Sequence, residues 1–223
     1  MLYRDQLRAL LSPAEATVFK KLRTPNLVQD YLEALPQNFS YKAGETHRSP
    51  RRLLKDKRAY CFEGAIFAAA ALAYHGSVPL LMDLQTTNDD EDHVLALFSV
   101  EDRTASGGKG KKLWGAISKT NHAVLRWRDP IYKTPRELAM SYFHEYFLPK
   151  TGKKTLYAYS KPFDLSKYKP ERWVTAEGSL DWLAEEMDAS IHFPIAPKNS
   201  LRRARRASAL ERKASKLQHW EKK

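Results

Sequence analysis

Apolar positions are spread very unevenly along the chain. From Ala65 to Tyr74 nearly every residue is apolar, so the stretch from Ala59 to Gly76, with Cys61 at its front, reads as a helix apolar on nearly every face that runs through a core. Gly76 stands where a left-handed C-terminal cap is expected. The apolar run is about half of the ~20 residues needed to cross a bilayer, so no membrane span is expected.

Before this helix the pattern is amphipathic. Ser12-Pro13-Ala14-Glu15 is a capping box with proline at the first helical position, predicting a helix to about Leu22. Thr24-Pro25 opens a second helix with Leu27, Val28, Tyr31, Leu32 and Leu35 as its apolar stripe. Residues 37–58 are polar and predict a loop with a short helix. Their basic cluster (Arg48, Arg51, Arg52, Lys55, Lys57, Arg58) reads as a solvated face, or as help in attracting an acidic group to Cys61.

After it, short apolar runs predict strands at 78–84, 93–100, 113–118 and 123–128, with a hairpin loop over 101–112. Thr134 caps a helix expected over 135–147. One further strand is expected at 156–159, and a helix from Ser179 to about Ser190. Helices grouped around a run of neighbouring strands indicate an α+β fold, with the central helix packed on an antiparallel sheet.

Charge marks off the C-terminus. Of the net charge of +12, residues 194–223 carry +8, from ten Lys/Arg against Glu211 and Glu221. Residues 1–193 thus form one nearly balanced α+β domain, and 194–223 a basic, partly helical or disordered tail. The tail reads as a solvated extension, or as a contact for nucleic acid or another anionic surface.

The single cysteine, Cys61, excludes an intramolecular disulfide. A chain start without a long apolar stretch gives a cytoplasmic expectation, which would keep the thiol reduced. At the head of a helix, backbone N–H groups and the dipole favour a thiolate. His93, opening a strand, would exchange the proton, and a third group would hold its tautomer. Asn121 is the expected third residue, with Ser118 and Asp129 as alternatives; Glu63 or Gln85 would serve an oxyanion. The acidic turn Asp89–Asp92 beside His93 reads as solvated, and no metal is expected.

The segments Cys61-Phe62-Glu63-Gly64-Ala65, Asp92-His93-Val94 and Leu113-Trp114-Gly115-Ala116-Ile117-Ser118 resemble the papain-like core of the transglutaminase-like superfamily. The run through Asn121, Arg128 and Ser141–Phe147 resembles an uncharacterised bacterial branch of it. The resemblance implies a cysteine hydrolase or acyltransferase acting on a peptide or protein amide through a thioester, without cofactor. Counted from Trp114, the family's aspartate position falls on Ser118, so a catalytically inactive binding module is the alternative expectation.

Overall fold

A computed structural model describes residues 1–37, 46–102 and 110–217. The elements in order are α1 (Tyr3–Ala9), α2 (Pro13–Lys21), α3 (Pro25–Ala34), α4 (Pro50–Asp56), α5 (Cys61–Tyr74), β1 (Leu80–Thr86), β2 (His93–Asp102), β3 (Lys111–Ile117) and β4 (Arg128–Tyr132). There follow α6 (Pro135–Met140), β5 (Leu156–Ser160), β6 (Phe163–Asp164), α7 (Asp181–Asp188), β7 (His192–Pro194), α8 (Lys198–Arg202) and α9 (Ala209–Ala214). Most of the predicted hairpin loop, the start of the polar stretch after Gln37 and the end of the tail lie outside the described residues.

The chain is mixed α+β. Its strands form one antiparallel sheet in the order β4-β3-β2-β1-β5-β7, with β6 also paired to β1. The outermost strands carry Pro130 and Pro194, residues that cannot extend the ladder and suit an edge.

The apolar body of α5 explains its place. Every residue from Cys61 to Ala73 is buried, and the run Ala68–Ala71 lets neighbouring elements approach the helix closely. On one sheet face α5 packs with α1–α4, Phe98, Ile117, Trp173 and α7. On the other face Met82, Leu84, Leu95, Leu97, Ala116, Tyr142 and Ile195 form a second core. Three of the start signals work as expected: Ser12 closes a reciprocal capping box, and Thr24 and Thr134 accept N–H bonds from Leu27 and Glu137, whereas α7 begins at Asp181 after Leu180, with no side-chain cap from Ser179. Gly76, at φ +99, donates to Ala73 and ends α5. Among the described residues no helix is long and apolar enough to cross a membrane.

Two expected elements differ. The strand predicted at 123–128 is a 3-10 turn, Ala123–Leu125, and the strand begins only at Arg128. Leu125 is buried in the second core while Trp127 stacks on Phe98 at 5.0 Å, so these apolar residues face different layers without a pleat. The helix predicted to reach Phe147 stops at Met140. There the Ser141 hydroxyl donates to Leu138 O at 2.7 Å, and Arg128 pairs with Ser141 and Glu145, drawing the chain off the helical path.

Candidate functional site

The head of α5 is fixed before any chemistry is considered. Glu63, fully buried in its first turn, accepts the Tyr60 N–H at 2.9 Å, the Thr46 hydroxyl at 2.8 Å and the Arg48 N–H at 3.2 Å. A carboxylate with those duties anchors the helix start; it is not directed at an oxyanion. The Arg48 guanidinium lies 3.8 Å from it. The basic cluster around it is likewise in use: Arg51 binds Glu15 and Leu10 O, and Arg52 binds Glu177 O.

Cys61 follows as the first helical residue, 8% exposed, on the wall of a cavity of about 510 Å³. His93, Asn121, His122, Tyr146, Lys119 and Gln37 line the same cavity. Cys61 and His93 therefore share one space, as their order in the chain suggested.

Of the three candidates for the group beside His93, Ser118 is the one hydrogen-bonded to its ring. His93 Nε2 is 2.6 Å from Ser118 Oγ. β3 ends at Ile117, so Ser118 is delivered to the ring at the strand end, and Asn121 follows three residues on around the turn. Asn121 lines the cavity, 8% exposed. Asp129 is exposed on β4 and accepts from Trp127 Nε1 at 2.8 Å. Gln85 accepts from Tyr157 Oη at 3.4 Å, away from the cavity wall.

Helix α3 holds Ser118 from behind. The buried Gln29 amide makes two bonds to its backbone: Nε2 to Ser118 O and Ser118 N to Oε1, both 3.0 Å. The buried Lys119 ammonium donates to Leu32 O at 2.8 Å and to Leu35 O, where α3 ends and carbonyls lack helical partners. Gly64 completes the arrangement. A Cβ there would lie 2.3 Å from Lys119 Cβ, so only glycine lets the 118–121 turn cross the first turns of α5.

The electrostatics run against a charged imidazole. Burial, then the nearby His122 and Arg128, lowers the His93 pKa to about 3. Burial also lowers His122, although Asp90 and Glu91 oppose it. Burial, then the charge of a Cys61 thiolate, pushes the Tyr146 phenol well up. At neutral pH His93 is an uncharged ring held by a hydroxyl.

The rim is acidic. Asp89, Asp90, Glu91, Asp92 and Glu145 line the cavity. Asp89 pairs with Lys153 and Glu145 with Arg128, while Thr86, Thr155 and Tyr60 donate to Asp92, Asp90 and Glu91. Among the described residues no cluster of His, Cys, Asp and Glu is arranged to hold a metal ion.

Gln37, Gln29, Lys119 and Tyr146 were missed as site residues. Gln37 sits at a chain-distant bridge to Ala59, and Gln29 lies on the stripe side of an ordinary amphipathic helix; neither carries a local motif. No family model matches the chain, and no curated protein does. The resemblance to transglutaminase-like proteins therefore rests on the residues themselves.

Proposed function

We propose that the chain is a transglutaminase-like cysteine hydrolase or acyltransferase with a papain-like core, acting on an amide or peptide bond. The observation that carries this reading is the shared cavity of Cys61 and His93, with the imidazole held through Nε2 by Ser118. That bond leaves Nδ1 for proton exchange. Because His93 is neutral, its imidazole is free of a proton at Nδ1 or Nε2 and serves as a base rather than as a standing imidazolium. The thiol proton passes to Nδ1 as sulfur attacks the carbonyl carbon, making His93 a general base in the manner of a serine enzyme. The tetrahedral oxyanion takes an N–H from the head of α5 and the Gln37 amide. Its collapse breaks the C–N bond, the leaving amine takes the proton from His93, and a Cys61 thioester remains. Water or an amine then releases the acyl group.

A second reading has its own support: a hydroxyl replaces the carboxylate that would sustain an imidazolium. In that case the cavity is a binding groove, and the exposed Arg203, Arg205 and Arg206 of the basic tail contact nucleic acid or another anionic partner.

An electrophilic peptide probe separates the two. Labelling of the wild type, none of Cys61→Ser, and a loss of about 10²-fold or more in His93→Ala are expected for general-base catalysis. Equal labelling of wild type and His93→Ala removes the enzymatic reading and leaves the binding module.

A further inference from the structure

The basic C-terminal segment is seated on the body. Ile195 is fully buried in the second core, with Leu201 packed against it. Beyond Leu201 the attachment becomes polar. Ala207 N donates to Gly152 O at 2.8 Å, Arg206 Nη1 to Thr151 O at 3.4 Å and Arg212 Nη1 to Lys150 O at 2.8 Å. Gly152 has φ +71, and a Cβ on it would lie 2.5 Å from Ala207 O. These contacts set α9 against the 149–152 turn and bring Ser215 into the wall of the cavity that holds Cys61.

We propose that residues 206–217 are an autoinhibitory strap: a basic segment that closes one side of the Cys61 cavity and can be released without unfolding the domain. Charge favours the seating. The segment carries Arg206, Arg212, Lys213 and Lys216 against Glu211, and the cavity is lined by Asp89, Asp90, Glu91, Asp92 and Glu145. Both the strap and the acidic turn border the 149–154 turn, whose Lys153 binds Asp89 at 3.1 Å. Apolar burial scarcely contributes. Leu210 and Leu217 are 76% and 73% exposed, and among the described residues past Leu201 only Ala207 is buried. A helix held by carbonyl-directed arginines and surface charge belongs to the low-stability end of a fold, and salt weakens its hold. The inference deepens the proposed function, resting on it for the consequence of closure though not for closure itself.

The test uses Cys61 as a reporter, since it is the chain's only thiol. Iodoacetamide alkylation is measured on the full chain at low salt and at ~1 M salt, where the Debye length is about 3 Å. The wild type should react faster at high salt. The double variant Arg206→Glu/Arg212→Glu should react fast at both, roughly tenfold above the wild type at low salt, equivalent to about 1.4 kcal/mol of seating. Gly152→Ala displaces the strap sterically without changing charge, and should behave likewise. Rates that are the same for all three proteins and insensitive to salt overturn the strap; if the double variant fails to fold, the wild-type salt response and Gly152→Ala decide. Alkylation needs no turnover, so a responsive rate with no probe labelling keeps the strap and removes the enzyme. A salt-insensitive rate with Cys61-dependent labelling does the reverse.

Discussion

Ser118 Oγ lies 2.6 Å from His93 Nε2, and a hydroxyl in that place orients the imidazole without charging it. A carboxylate at the same position would stabilise the imidazolium and favour a thiolate–imidazolium pair reactive in mild acid. Ser118→Asp should therefore raise the His93 pKa from about 3 and extend Cys61 alkylation to lower pH as a plateau. The wild-type rate should simply rise with pH. Ser118→Ala should keep the wild-type profile while weakening His93-dependent probe labelling. An identical pH profile in Ser118→Asp and wild type would show that Ser118 does not control the ring.

Gly64→Ala pits two opposing effects against each other. Alanine in a helix interior is favoured over glycine by about 1 kcal/mol. The new Cβ would sit 2.3 Å from Lys119 Cβ, and relieving such overpacking costs about 1–3 kcal/mol. The clash should win, because Lys119 is anchored at both Leu32 and Leu35 and cannot simply swing away. Lower thermal stability with altered Cys61 alkylation is the expected result. A stabilised variant would mean that the turn yields freely.

The central helix was legible because thirteen consecutive buried positions leave no polar face to misread. Strand and cap signals were similarly local. Cys61 and His93 could be paired from their order alone, since each opens an element whose burial dictates where it goes. The third residue could not. Its choice depends on where β3 ends and on Gln29, 89 residues away, which fixes Ser118 through its backbone. Arg128 overrode good helix formers after Met140 in the same way, through tertiary bonds that no local window contains.

Gln29→Leu tests that long-range grip. It removes an amide that satisfies both the N–H and the C=O of a buried residue. Leaving a buried polar group unpaired costs about 1–3 kcal/mol, so a loss of roughly 2–4 kcal/mol in urea unfolding is expected. His93-dependent probe labelling should fall further than in a control core variant of equal stability. A variant that loses stability but labels normally would confine Gln29 to a structural role.

Acid stability should carry the signature of His93. Its folded pKa of about 3 lies below the ordinary histidine value of 6.5, so between these limits the unfolded chain binds the extra proton. Stability from this group is complete above about pH 6.5 and declines as pH falls toward 3, at about 1.4 kcal/mol per unit. By pH 5 the loss is about 2 kcal/mol. His122, depressed by burial, acts in the same direction, whereas burial raises Asp83 and so acts in the opposite one. Comparison with His93→Gln isolates the histidine, because glutamine keeps a polar partner for Ser118 but does not titrate. Urea unfolding at about pH 7.5 and pH 5 should show a steeper loss in the wild type than in the variant; parallel losses would mean that His93 takes up its proton in the folded chain as readily as in the unfolded one.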